Sequence, residues 1–122
     1  MDLHNLSLKE QLQGLKKGSF SSTELTSHYL ERIEKYDDEL NSFISITAER
    51  ALIQAQDSDK RYANNQAYGL DGIPLAHKDI FCTKDVLTTC GSKMLHNFVS
   101  PYSSTVYELS LIHISEPTRL SW

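Results

Sequence analysis

The chain has few of the residues that mark secreted, disulfide-stapled or membrane-spanning proteins. Its 122 residues include only two cysteines, Cys82 and Cys90, too few for a disulfide framework or a zinc site. No stretch approaches the ~20 apolar residues of a membrane span, and the first residues have neither the basic region nor the apolar core of a signal peptide. We therefore expect reduced thiols, no membrane contact and a cytoplasmic location.

The chain also lacks an excess of basic residues. Twelve lysines and arginines stand against sixteen aspartates and glutamates, giving a net charge of −4. Direct nucleic-acid binding needs a basic surface to meet the phosphates, so any contact with RNA would have to come through a partner. The hydrophobic content of 39% fits one globular domain.

Serine caps and apolar periodicity predict helices in the first third of the chain. Ser7 can cap a helix over residues 7–17, because Leu8, Leu12 and Leu15 recur at helical spacing. Ser21 and Glu24 form a capping box, in which each side chain satisfies a backbone N–H of the other residue. A second amphipathic helix is therefore predicted to begin there.

A strand and a third helix are predicted to follow. The acidic segment 37–42 indicates a turn, so the second helix should end near Tyr36. Residues 43–46 alternate as a short strand. Thr47 can cap a helix over residues 48–62.

The stretch GIPLAHKD at residues 72–79 combines a short apolar run with a lysine. Gly72 and Pro74 set the entry, and the run is too short for a helix, so it predicts a buried strand. Lysine is almost never buried without a partner or a task. Either the strand delivers Lys78 to an interior position, or Lys78 ends the strand and points to water.

This stretch resembles the lysine-bearing segment of the amidase signature family. Residues 82–84, 88–95, 97–98 and 101–106 resemble, within that family, the A subunits of bacterial tRNA-dependent amidotransferases. The resemblance covers residues 3–108. It implies an α/β fold, namely a truncated N-terminal part of the amidase signature fold with helices and the first strands of a mixed sheet.

The resemblance also implies a function. In the family the lysine belongs to a Ser–cis-Ser–Lys triad, so Lys78 is the expected catalytic residue; the substrate-binding residues are unknown. The intact enzyme would release ammonia from glutamine and pass it to a partner that activates misacylated tRNA with ATP and Mg²⁺. The B and C subunits of a heterotrimer are the implied partners, and tRNA would bind through them. This chain itself has no cofactor or metal site by the same resemblance.

Lys78 must lose its charge to act as a base. Moving its pKa from about 10.4 to neutrality disfavours the charged form by roughly 4–5 kcal/mol, and burial among apolar residues can supply this. His77 cannot assist, because neighbouring side chains in a strand face opposite ways. We expect Asp79 to make local hydrogen bonds. Residues 89–92 either line the substrate pocket or serve as turn and cap residues.

Two features count against activity of this chain by itself. The Gly/Ser-rich motif that carries both serines in the family does not appear, so we expect the chain to be inactive. Residues 109–119 resemble the translation of a sequencing adapter, and we expect 1–108 to be amidase sequence and 109–122 an artefactual tail. Within that tail the apolar residues alternate as in a strand until Pro117.

Two other functions stay open. One is a fragment of a stand-alone amidase from the same family. The other is a non-catalytic helical interaction module built on the first two helices, for which a fully exposed Lys78 would be expected.

Overall fold

Three helices form the amino-terminal half of the chain. The computed structural model describes residues 2–113 and 118–121. After a short 3₁₀ helix at Leu3–Asn5, the helices are α1 (Leu8–Lys17), α2 (Ser22–Leu40) and α3 (Ala48–Ala63). None of the described helices is both long enough and apolar enough to cross a lipid bilayer.

Reciprocal capping boxes begin the first two helices. Ser21 accepts the Glu24 N–H at 3.0 Å, and the Glu24 carboxylate accepts the Ser21 N–H at 2.7 Å. Ser7 and Glu10 make the same exchange at the start of α1. Gly18 ends α1 in the left-handed region at φ 69°, which glycine adopts at little cost. The predicted starts of both helices are confirmed.

The predicted end of α2 is wrong, because the acidic segment continues the helix to Leu40. The helix stops at Asn41, which takes a left-handed conformation with φ 51°. The Asp37 carboxylate then accepts the N–H groups of Ser42 at 2.7 Å and Phe43 at 3.3 Å. Asp37 therefore closes the helix from its last turn instead of starting a loop.

The strand predicted at residues 43–46 does not form. Only Ser45 makes a β-bridge there. α3 follows as expected, although the Thr47 side chain makes no capping hydrogen bond. Ala51, Ala55 and Ser58 are completely buried, and these small side chains let α3 lie close to α2.

A carboxylate from α3 caps the start of α2. Asp59 accepts the Ser22 N–H at 2.6 Å, the Thr23 N–H at 3.1 Å and the Thr23 hydroxyl at 2.6 Å. The backbone N–H groups would otherwise lack intrahelical partners. The two helices are thus joined by hydrogen bonds as well as by packing.

The main hydrophobic core lies where α1, α2 and the start of the strand region meet. Its buried members are Leu3, Leu15, Phe20, Leu25 and Ile73. Leu8, predicted to face inward, is 49% exposed, whereas Gln11 is buried. The Gln11 amide can be buried because it donates to the carbonyl of Leu3 at 3.1 Å and to the hydroxyl of Tyr29 at 2.8 Å.

Two parallel strands follow the helices. β1 (Pro74–His77) pairs with β2 (Thr118–Ser121), with Pro74 opposite Thr118 and His77 opposite Ser121.

A fourth helix, α4 (Thr105–His113), replaces the strand predicted from residue 109 onward. Its start is fixed by Ser104, whose hydroxyl accepts the Tyr107 N–H at 3.2 Å. The Ser104 carbonyl accepts the Glu108 N–H at 3.0 Å. Once a helix is nucleated, each added residue gains one hydrogen bond, so a short alternation of apolar residues does not stop it. The predicted break at Pro117 lies outside the described residues.

Candidate active site

Lys78 directly follows β1, at the edge where the two parallel strands both end. It is exposed, while Asp79 beside it is only 6% exposed. Of the two alternatives for Lys78, the interior position is therefore not what the structure shows. The alternative, in which Lys78 ends the strand and points to water, describes the structure. The physical reason is that neither β2 nor any helix within the described residues covers this edge well enough to bury a long side chain.

The Asp79 carboxylate is hydrogen-bonded to Thr89 at this edge. Its two oxygens accept the Thr89 N–H at 3.0 and 3.1 Å, and one of them also accepts the Thr89 hydroxyl. The Asp79 backbone carbonyl accepts the Cys90 N–H at 2.9 Å. The expected local hydrogen-bonding role of Asp79 is confirmed.

Residues 89–92 form a tight turn against Asp79. Cys90 and Gly91 have φ values of 52° and 68°, and the Ser92 N–H donates to the Thr89 carbonyl at 2.8 Å. Two consecutive positive φ values with this hydrogen bond are typical of a type I′ turn. Ser92 then caps a 3₁₀ helix at Lys93–Leu95 by accepting the Met94 N–H. The structure thus shows turn and cap roles for these residues.

A loose hairpin supports the turn. Leu87 and Val99 form an antiparallel bridge, the Thr88 N–H donates to the Phe98 carbonyl at 2.9 Å, and the Ser100 N–H donates to the Val86 carbonyl at 3.3 Å. Neither cysteine is in a disulfide in the structure; Cys90 is exposed on the turn and Cys82 is half-buried. The segment after Lys78 is therefore ordered by backbone pairing.

His77 belongs to the scaffold. Its ring packs edge-on against Tyr107 of α4, with centroids 5.2 Å apart and planes at 80°. Tyr107 is itself buried. This contact ties the end of β1 to α4, and it agrees with the prediction that His77 does not assist Lys78.

An ion pair that no sequence pattern predicted holds the loop leading into β1. Arg61 of α3 binds the fully buried Asp71 carboxylate through two nitrogens, at 2.6 and 2.8 Å. Burial by itself raises the pKa of Asp71, but the hydrogen bonds and the positive charge of Arg61 outweigh it, so the pKa lies below its ordinary value. The two residues are ten positions apart, in a helix and a loop, and no local pattern signals their pairing.

A separate apolar groove of about 560 Å³ lies between α2 and β1. Its walls include Tyr29, Ile33 and Phe43, and its floor is formed by Pro74, Leu75 and Ala76. Lys78 is not among the lining residues. The groove is therefore distinct from the lysine-bearing edge.

Metal-ligating side chains do not cluster among the described residues. Within the part of the chain that the structure describes, no three His, Cys, Asp or Glu side chains gather to hold a metal ion. The two buried carboxylates are already engaged, Asp79 by Thr89 and Asp71 by Arg61.

Comparison with known proteins identifies the family. The model of the family described as Amidase matches residues 24–110, so the chain belongs to that family. It is 59% identical over 104 residues to the A subunit of the glutamyl-tRNA(Gln) amidotransferase of Saccharophagus degradans. It is 54% identical over 107 residues to the corresponding protein of Acinetobacter baumannii. The matches cover 85% and 88% of this chain but only 22% of each relative.

The fold agrees with the family. The peptide amidase of Stenotrophomonas maltophilia superimposes with a TM-score of 0.85 at 24% identity, over 96% of this chain and 24% of that enzyme. The expected fold class, an α/β arrangement of helices and the first strands of the amidase signature fold, is confirmed.

Proposed function

We propose that this chain is the lysine-bearing segment of the glutamine-hydrolysing subunit of a tRNA-dependent amidotransferase. The observation that carries the proposal is the identity of 59% and 54% to two A subunits, over more than four-fifths of the chain. Lys78 would be the base of the amide-cleaving site. The whole enzyme would act in the cytoplasm, with the B and C subunits as partners and misacylated tRNA bound through them.

The geometry supports a base at Lys78. It stands directly after the carboxyl end of β1, and open α/β sheets place their active sites at the carboxyl ends of their strands. Because Lys78 is exposed here, the burial that would lower its pKa has to come from parts of the enzyme outside these residues. The same holds for the attacking serine, whose addition to the amide carbonyl would form an acyl-enzyme and release ammonia.

A chimera tests the proposal. The 104-residue segment of this chain that matches the S. degradans protein replaces its counterpart in that full-length A subunit, produced with its partner subunits. We expect the chimera to hydrolyse glutamine and Lys78→Ala to lose about 10³-fold or more in kcat, because removing a member of a catalytic triad typically costs that much. Lys60→Ala, which removes an exposed lysine of α3, is the control and should keep full activity. If Lys78→Ala retains activity, the proposal is wrong.

The exposure of Lys78 favours a second candidate, a non-catalytic helical interaction module. Under this hypothesis Lys78→Ala in the chimera leaves glutamine hydrolysis unchanged. A stand-alone amidase is the third candidate. Recovering the missing downstream sequence would discriminate it from the first proposal, because glutamine selectivity should be encoded in the pocket residues there.

We also propose that residues 109–122 are foreign to the natural protein. The end of the family match at residue 110 supports this, together with the resemblance of residues 109–119 to a translated adapter. Sequencing the source DNA across these codons, from a library without adapters, tests it. A reading frame that keeps residues 109–122 would contradict the proposal.

A further inference from the structure

We propose that Asp79 is a positioning residue, which fixes Lys78 by tying the end of β1 to the 89–92 turn. This inference rests on the proposed role of Lys78 as the base. It assigns a task to a buried carboxylate that the proposed reaction does not otherwise use.

The backbone around Lys78 is held on both sides. Before it, the His77 ring at the end of β1 packs edge-on against the buried Tyr107 of α4. After it, the Lys78 carbonyl accepts the Phe81 N–H at 3.2 Å, which closes a turn. Asp79 lies inside that turn and is bound through both its carboxylate and its carbonyl to Thr89 and Cys90. The residue that follows the lysine is therefore anchored at two points to a segment ten positions away.

The anchor depends on a charged acceptor. A carboxylate can accept several hydrogen bonds at once, and bonds to a charged group are about twice as strong as neutral ones. The amide of asparagine has nearly the same size, but only its oxygen can accept. Its NH₂ group cannot bind the Thr89 N–H, and Asp79→Asn therefore weakens the anchor with little change in volume.

Positioning matters because lysine has a long and flexible side chain. A base has to lie within hydrogen-bond reach of the proton it removes, and a displacement of about 1 Å can cost about 100-fold in rate. A backbone that moves at residue 79 displaces the root of the Lys78 side chain. The expected loss is therefore in kcat.

The test uses the chimeric protein in its complex with the partner subunits. We expect Asp79→Asn and Thr89→Val to lower kcat for glutamine by about 10- to 100-fold while KM changes by less than about twofold. Thr89→Ser keeps the hydroxyl donor and should restore at least half of the wild-type kcat. The acid limb of the kcat–pH profile should keep its midpoint. A positioning residue changes the maximal kcat of the profile but not the pH at which the base gains its proton.

Asp59→Asn is the matched control. Asp59 also accepts three hydrogen bonds, but it caps α2 in the scaffold. This variant should lower the thermal unfolding midpoint and leave kcat per folded enzyme unchanged.

Three results would overturn the inference. One is that Asp79→Asn lowers kcat per folded enzyme no more than Asp59→Asn does. Another is that Thr89→Ser has as low a kcat as Thr89→Val. This comparison also tests the inference if Asp79→Asn does not fold. The third is that the pH midpoint moves to lower pH in Asp79→Asn, which would mean that Asp79 acts through its charge. Failure of the proposed function gives a different result, full activity of Lys78→Ala.

Discussion

Removal of Arg61 from its pair with Asp71 should strongly destabilise the chain. Asp71 is 0% exposed and Arg61 only 21% exposed. Removing one partner of a buried ion pair typically costs about 3–5 kcal/mol, because a charge stays buried without compensation. The Tyr68 N–H still reaches the Asp71 carboxylate at 3.4 Å. We therefore expect Arg61→Met to lower the free energy of unfolding by about 3 kcal/mol, the lower end of that range.

Urea unfolding followed by circular dichroism measures this loss. With a slope of about 1.5 kcal/mol per molar urea, the midpoint should fall by about 2 M. Lys60→Met is the control, since Lys60 pairs at 3.0 Å with Asp57 but both side chains are more than half exposed. Exposed pairs contribute about 0–1 kcal/mol, so the midpoint should barely move. Equal shifts for Arg61→Met and Lys60→Met would refute the reasoning.

The loss of stability in Arg61→Met should also be smaller at acidic pH than at neutral pH. The folded-state pKa of Asp71 lies below its unfolded value of about 3.9. Its contribution to stability is therefore complete above that value and is lost as the pH falls through the lower, folded-state pKa. The difference between wild type and Arg61→Met should be largest at pH 7 and smaller at pH 3. A difference that grows on acidification would contradict the assignment.

Two further substitutions test the helical scaffold. Gly14→Ala should lower the free energy of unfolding by about 1–3 kcal/mol, because the new methyl group would overlap the Phe20 ring. This loss is expected despite the better helix propensity of alanine. Gly69→Ala is the control, since its methyl group would meet no atom within 4 Å, and it should be nearly neutral in the same urea titration. Ser21→Ala should cost about 1 kcal/mol by removing the cap of α2, and Ser21→Thr should recover most of it; equal losses for both would contradict the capping role.

Helix starts could be predicted from the sequence because their signals are local. A capping box needs only two side chains and two N–H groups within four residues, so Ser21 and Glu24 specify the start of α2 before any tertiary contact forms. The end of α2 has no comparable local signal. Asp37 resembles a turn residue in the sequence, yet its carboxylate closes the helix by binding Ser42 and Phe43, and the choice between the two depends on the following backbone.

Partners far apart in the sequence could not be predicted from local patterns. Gln11 looks like a surface residue, but its amide meets Tyr29, eighteen positions away. Asp59 looks like an exposed helix residue, but it caps α2 from thirty-six or more positions away. In each case burial of a polar group is made favourable by hydrogen bonds that form only after the helices have packed.

The position of Lys78 could be predicted from the sequence, but its environment could not. The apolar run before Lys78 ends in a strand, as expected. Ile73, just before the strand, is buried at 5% exposure, but the residues of β1 are half-buried or exposed. The strand is therefore not buried as predicted, and the lysine lies outside. A neutral lysine base requires that water be removed from around the amino group, and the strand by itself does not remove it.

Under the proposed function, the strand would position Lys78 and another part of the enzyme would bury it, so a fixed backbone next to Lys78 would matter for catalysis. If the surface that buries the lysine is contributed by another part of the enzyme, the ammonium group has to be presented to that surface in one place. Asp79 and Thr89 provide such a fixed point, since they join the end of β1 to the 89–92 turn through a buried, charge-assisted hydrogen bond. Under the proposed function, these residues would set the position of the base, and the surface that covers it would exclude water from it.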